Sequence, residues 1–407
     1  MSTFRRALTA VLALAVVAAC NSPAAEDPVT TTTATAASST TTSLPPQREA
    51  YIIDVALDGD PNARPALAAF YGWLGDRTLA EPDIPSGLLE AVGALEPDRH
   101  LAVEATLVTA ELEKELGRVG VATADDDIVL LADDGSGWKV VGAHLPRFDM
   151  DAWYGEPVRH LLVVGTDARP GQSQELFRAD SIHILSANLS EARGAVLGFP
   201  RDAYVQASYG TDKFTHVNAL SDRHTEEMVD IAAELSGLPI DGYLLTGFLG
   251  FIRLVNDFGG VVVDVPYRMN DWRAEANLFS GTQRLWGEAA LAFSRIRSIP
   301  GGDFTRSGHQ GVVMLAALGE IAGGDITRLP ELLSILTRHT WTNLSPGNLL
   351  TLGAAGFVVD PATVENKVLL GTVTTRGGAS VVVLDETRSE EMFRDLDDGF
   401  FDQPPGG

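Results

Sequence analysis

The side chains best suited to chemistry in this chain are aspartates and arginines placed where apolar runs end. The run Leu161–Gly165 leads into Gly165-Thr166-Asp167-Ala168-Arg169, and Arg178-Ala179-Asp180 directly precedes the next run. If those runs are neighbouring strands, Asp167 and Asp180 form a carboxylate pair at their ends. Oxygen donors without His or Cys suit Mg²⁺, with Mn²⁺ as the alternative ion. Taken alone, an Asp at a strand end is more often a turn former. Arg201, in Gly198-Phe199-Pro200-Arg201-Asp202, follows a third strand and by itself reads as half of a surface ion pair. Arg295-Ile296-Arg297 precedes Pro300-Gly301-Gly302, which ends any helix, so an extended stretch with both guanidiniums on one face is expected. Two such groups repel each other unless an anion lies between them. Asp303 is expected to cap a helix in which Arg306 and Gln310, four residues apart, share a face at the end that favours anions. The residue types and spacings together describe a Mg²⁺-plus-arginine site for a phosphorylated ligand.

Other chemistries are excluded. There is no Gly-Lys pair for a Walker A loop and no His-Glu pair for a zinc-protease helix. The single cysteine, Cys20, leaves no thiol nucleophile and no disulfide, so the fold must stand on its apolar core. A net charge of −25 repels nucleic acid, so no nucleic-acid partner is expected, and an anionic ligand must be held by a local cationic pocket.

The elements that must position these residues follow from periodicity. The fold class is α/β, a mixed central β-sheet flanked by helices over 157–400, preceded by a small α+β domain over 50–145. In the small domain a helix is expected over Ala63–Leu74, interrupted by Pro65, and strands over Leu101–Val108, Val119–Thr123, Ile128–Ala132 and Trp138–Ala143, the last two joined by a hairpin at Gly135-Ser136-Gly137. In the main domain strands are expected over Arg159–Gly165, Ser181–Asn188, Gly194–Phe199, Tyr243–Thr246 and Val261–Val265. Helices are expected over Glu226–Ser236, Gly247–Phe258, Gly287–Phe293, Ser307–Ile321 and Pro330–Leu336. Two late strands, Lys367–Thr374 and Ser380–Leu384, precede a last helix.

The N-terminus sets the address. Arg5 and Arg6 precede an apolar run over Ala7–Ala19 that ends in Val17-Ala18-Ala19-Cys20. This is the plan of a signal peptide over 1–19 with Cys20 as the lipid-accepting residue, and the run is too short for the ~20 residues of a membrane-spanning helix. Residues 20–48, mostly Thr, Ser, Ala and Pro after the cysteine, form a disordered tether in this reading. The expected location is the extracytoplasmic face of the cell membrane, lipid-anchored.

These segments resemble the LytR-CpsA-Psr family of cell-wall glycopolymer transferases. The resemblance covers about 157–322 and rests on seven segments in order. They are Gly165-Thr166-Asp167-Ala168-Arg169, Arg178-Ala179-Asp180, Pro200-Arg201-Asp202, Leu238-Pro239-Ile240-Asp241-Gly242-Tyr243, Phe258-Gly259-Gly260-Val261 with Asp264-Val265-Pro266, Arg295-Ile296-Arg297, and Gly301-Gly302-Asp303-Phe304-Thr305-Arg306. The resemblance implies a polyprenyl-pyrophosphate-linked glycan as substrate, its lipid tail in an apolar tunnel, and peptidoglycan as acceptor. It implies that Asp167 and Asp180 bind Mg²⁺ and that Arg169, Arg178, Arg201, Arg295, Arg297 and Arg306 surround the pyrophosphate, with Gln310 nearby and Lys213 matching a family lysine. Asp180 or Asp303 would take the hydroxyl proton, with Arg201 and Arg306 stabilising charge. The chain departs from the family at Phe214-Thr215 and Leu220-Ser221-Asp222, which touches acceptor-side contacts. It departs again at His309, where many members have Arg and where the imidazole charge would matter near pH 6.5. The rival readings are a polyprenyl-pyrophosphate hydrolase, with water as nucleophile, and a non-catalytic polyprenyl-phosphate-binding or regulatory envelope protein.

Overall fold

A computed structural model describes residues 53–402 except 99 and 298–299. The expected signal peptide, Cys20 and the expected tether lie outside the described residues. The described residues cluster as one compact unit. No helix among the described residues is long and apolar enough to cross a membrane.

The first sheet is built from β1 (Asp54–Asp58), β2 (Ala102–Leu112), β3 (Gly117–Ala124), β4 (Asp127–Asp133), β5 (Lys139–Leu145) and β6 (Met150–Trp153), in that order. β1 and β2 are parallel and the remaining pairs antiparallel. Val103, Ala105 and Leu107 alternate inward along β2, the period-two signal of a half-buried strand. They meet Leu67, Phe70 and Leu74 of α1 (Arg64–Gly75) and Leu88 of α2 (Ser86–Gly93) in one core. Pro65 does not interrupt α1. It stands in the first turn, where its missing N–H has no intrahelical partner to lose.

The second sheet runs β17-β12-β7-β8-β9-β18. Its members are β7 (Val158–Thr166), β8 (Ala179–Asn188), β9 (Arg193–Gly198), β12 (Tyr243–Thr246), β17 (Trp341–Thr342) and β18 (Glu365–Val368). β12 lies parallel to β7 and β18 parallel to β9, so the sheet is mixed. Short hairpins surround it: β10 (Tyr204–Ala207) with β11 (Gly210–Lys213), β13 (Val261–Val265) with β16 (Gly281–Leu285), β14 (Met269–Asp271) with β15 (Ala276–Leu278), and β19 (Gly371–Arg376) with β20 (Ala379–Leu384). The first expected late strand is therefore two, because the chain breaks at Leu369-Leu370. Leu369 N–H still bonds the Gly198 carbonyl at the sheet, whereas Leu370 already pairs with Asp385.

Alternation along β7 and β8 gives the sheet two apolar faces. Leu162, Val164, Ile182 and Ile184 pack with α3 (Phe214–Leu220), α4 (Thr225–Ser236) and α10 (Glu386–Asp395). Leu161, Val163 and Leu185 face the side of α8 (Leu329–His339) and α9 (Pro346–Val358), in a core that also takes Leu112, Val119, Val121 and Leu130 of the first sheet. The small sheet is thus joined to the main one through shared apolar packing. α5 (Phe248–Asp257), α6 (Gly287–Arg295) and α7 (Asp303–Ile321) complete the helical layer.

Candidate functional site

The site forms where β7, β8 and β9 end and the first turns of α7 cross them. The crossing is close. A Cβ on Gly198 would lie 2.4 Å from Ser307 Oγ and 3.0 Å from His183 Nε2, so only glycine admits the helix there. His183 is fully buried, and burial pushes its imidazole down to about 4, so it is neutral at pH 7. Its Nε2–H donates to the Ser307 carbonyl at 3.0 Å. Asn366 Nδ2 donates to the Gly308 carbonyl at 2.8 Å. These contacts carry Arg306 to Asp180.

Arg306 is 1% exposed, among the largest fully buried side chains. Its Nη1 lies 3.3 Å from Asp180 Oδ2 and its Nη2 2.8 Å from Asp303 Oδ1. Burial pushes the guanidinium down to about 10, an effect the two carboxylates only partly oppose. Arg201 donates to the other oxygen of Asp180. Burial alone would raise the Asp180 carboxyl, but Arg306 and Arg201 outweigh it and hold it below the ordinary value. Asp303 does not cap α7. Gly302, at φ 56°, holds the cap position, and Asp303 is the first helical residue with no capping bond. Its Oδ1 instead faces Arg306, Arg297 at 3.7 Å and Arg201 at 3.9 Å, so one carboxylate ties together three guanidiniums.

Arg295 and Arg297 are not both extended. Arg295 is the last residue of α6, and the chain turns extended at Ile296. That turn after the helix end, in place of a shared strand face, aims both side chains into one cavity. The Arg295 guanidinium lies 4.6 Å from the centre of the Phe248 ring.

The cavity measures about 960 Å³ and is lined by Asp167, Arg169, Arg178, Asp180, Arg201, Arg295, Arg297 and Arg306. Arg178 pairs with Asp167 at 2.5 Å. Lys213 is not in the lining and pairs with Asp202 at 3.2 Å. Gln310 also stands apart from this cavity. Its amide donates to the carbonyls of Asp180 (3.2 Å) and Ser294 (3.3 Å). His309 is buried and stacked 4.6 Å from Phe293, and burial lowers its pKa, so it brings no charge to the site at neutral pH.

A second, apolar cavity of about 190 Å³ lies directly beneath. Its walls are Val163 and Val164 of β7, Leu245 of β12, Phe251 and Leu254 of α5, Val313, Met314 and Ala317 of α7, and Leu336 of α8. Asp180, Phe248 and Arg295 line both cavities. The remaining wall of the upper cavity was not foreseen. It includes Gln172, Leu176 and Phe177 from the β7–β8 connection and Asn270, Trp272 and Arg273 from the β14–β15 hairpin. The alternation of Met269 and Asp271 with Ala276 and Leu278 around a polar turn was the available signal for that hairpin.

Fold and site combine a mixed sheet, a cavity lined by arginines and aspartates, and an apolar slot that shares part of its wall. Residues 150–398 match the LytR_cpsA_psr family model, and the chain belongs to that family. It is 28% identical over 251 residues to the polyisoprenyl-teichoic acid–peptidoglycan teichoic acid transferase TagT of Bacillus subtilis (strain 168), a match covering 58% of this chain and 75% of TagT. It is 26% identical over 286 residues to the cell wall biosynthesis protein LcpA of Corynebacterium glutamicum, covering 58% of this chain and 55% of LcpA. The crystal structure of B. subtilis TagV shares the fold, with a TM-score of 0.52 at 22% identity over 62% of this chain and all of that one. TagT bound to LI-WTA aligns with a TM-score of 0.50 at 26% identity, covering 61% of this chain and 92% of that one.

Proposed function

We propose that the chain transfers a glycopolymer from a polyprenyl pyrophosphate carrier to peptidoglycan at the outer face of the cell membrane. The observation that carries this reading is the shared wall of the two cavities at Asp180, Phe248 and Arg295. Only an amphipathic ligand fills both, with charged oxygens among the guanidiniums and a hydrocarbon chain between β7, β12 and the helices α5 to α8. The similarity to TagT, and to its complex with LI-WTA, supports the same class of substrate. In an anionic protein, seven arginines around one cavity are the local exception that a pyrophosphate requires.

The acceptor hydroxyl oxygen bonds to the glycan-side phosphorus, the bridging P–O bond breaks, and polyprenyl phosphate leaves. Arg201 and Arg306 line the cavity and face the oxygens on which charge grows. Asp180 lines the cavity and takes the hydroxyl proton. Asp303, behind the arginines, is a positioning residue that sets their angles.

The donor set fits Mg²⁺. Asp167 Oδ1 is buried and without a hydrogen-bond partner, and Asp167 lines the same cavity as Asp180. Mg²⁺ takes one or two carboxylates and fills its shell from phosphate and water. Held by Asp167 and Asp180, the ion would neutralise charge on the phosphates. Cys20 provides the lipid anchor in this reading. Its test is loss of metabolic palmitate labelling in Cys20→Ala.

One assay tests the function. Purified protein is given a long-chain polyprenyl-pyrophosphate glycan, with and without peptidoglycan fragments. Product should require the acceptor, and EDTA or Asp167→Asn should remove most turnover. Ala317→Phe, which fills the apolar slot, should weaken the polyprenyl ligand about ten-fold or more while leaving inorganic pyrophosphate binding unchanged. Cleavage that proceeds equally without acceptor would make the chain a hydrolase. An Ala317→Phe variant that keeps its melting temperature and binds the lipid like wild type would sink the reading of the slot.

A further inference from the structure

The upper cavity is much larger than a pyrophosphate. At about 960 Å³ it stands at the top of the ~300–1,000 Å³ range of sites that hold a whole small organic ligand. The arginines and aspartates occupy its floor. One side of its rim is the β14–β15 hairpin, and that hairpin carries Trp272, 81% exposed. A lone exposed apolar residue needs no explanation, but this one is fixed in place. Met269, Ala274, Ala276 and Leu278 bury the hairpin's inner face. Arg273 N–H bonds Asp271 Oδ1 at 2.9 Å and shapes the turn. The Arg273 guanidinium lies 5.3 Å from the centre of the indole, so it holds one side of the ring and leaves the other free for a ligand. Asn270 and Arg273 line the rim beside it.

An indole with an amide and a guanidinium at its edge is a surface for a pyranose. The C–H face of a sugar ring meets the electron-rich indole face, while its hydroxyls find hydrogen-bond partners at the periphery. We propose that Trp272, with Asn270 and Arg273, is the platform for the sugar attached to the pyrophosphate, and that it sets which glycan the site accepts. This inference rests on the pyrophosphate reading of the cavity floor. A membrane surface is the competing partner for an exposed Trp, but the tip does not suit one. Glu275 and Arg273, both exposed in this turn, cancel in charge, so the tip offers no basic cluster for an anionic headgroup layer.

The test uses the purified chain in detergent with two probes, geranylgeranyl pyrophosphate and the same lipid pyrophosphate bearing one N-acetylglucosamine. Wild type should hold the sugar-bearing probe more tightly. Trp272→Ala should weaken that probe about ten-fold and leave the sugar-free probe within about two-fold. Trp272→Phe, which keeps an aromatic face, should recover most of the loss. The proposal is overturned if both probes weaken alike, if neither changes, or if wild type does not distinguish them. It is also overturned if Trp272→Ala loses binding to anionic phospholipid vesicles while both probe affinities stay at the wild-type level, since the tip is then a membrane contact. If wild type binds neither probe, the pyrophosphate reading itself fails and this inference falls with it.

Discussion

Replacing Arg306 by Met is expected to cost about 3–5 kcal/mol of stability, because it breaks a buried ion-pair network and leaves Asp180 and Asp303 with Arg201 as their shared partner. For a chain of this size that is a drop in melting temperature on the order of 5–10 °C. The expectation rests on burial, since Arg306 is 1% exposed and touches both Asp180 and Asp303. Arg306→Lys keeps the charge but reaches only one carboxylate at a time, so it should recover part of the loss. Transfer should fall further than stability explains, since the same guanidinium lines the cavity proposed to hold the pyrophosphate. A melting temperature within about 1 °C of wild type would show that Asp180 and Asp303 do not depend on Arg306.

The second large effect is expected at Asp180. Asp180→Asn preserves shape and removes the charge, and transfer should fall by about 10²–10⁴-fold if this carboxylate takes the hydroxyl proton. Binding of polyprenyl pyrophosphate measured without divalent ion should change little or tighten, since one negative charge leaves the cavity floor. The pH dependence gives an independent check. Arg306 and Arg201 hold the folded-state pKa of Asp180 below its ordinary value of 3.8. Its stabilising contribution is therefore fully present above that value and is lost as pH falls through the lower folded-state value. Wild type should lose stability on acidification below pH 4 by more than Asp180→Asn does, and the two curves should converge at the acid end. Parallel curves would place the wild-type charge elsewhere, and a variant with undiminished turnover would leave Asp180 with a structural role alone.

Much of this was legible in the residues. Val261–Val265 and Tyr243–Thr246 have the bounds their apolar pattern predicts, and β7, β8 and β9 differ from expectation by one or two residues at their ends. Asp167 and Asp180 were placed at neighbouring strand ends, and the antiparallel register Thr166↔Ala179 puts them there. The errors were local choices that distant packing overrides. Asp303 has the chemistry of a cap, but three guanidiniums compete for its carboxylate and Gly302 is free to take the left-handed geometry. His309 has the chemistry of a titrating group, but Phe293 covers it.

Residue type and order were enough to establish the family, the mixed sheet and the collection of acids and arginines, because strand period, turn residues and motif order are properties of neighbours along the chain. Other features depend on groups more than a hundred residues apart. Arg306 meets Asp180 only because Gly198 and His183 admit and hold the first turns of α7 against the sheet. The apolar slot exists only where β7, β12 and four helices leave a gap, and Trp272 reaches the rim only because its hairpin is anchored by packing. Contact between such distant segments is set by the volumes and charges that fill the space between them, and no local pattern records those.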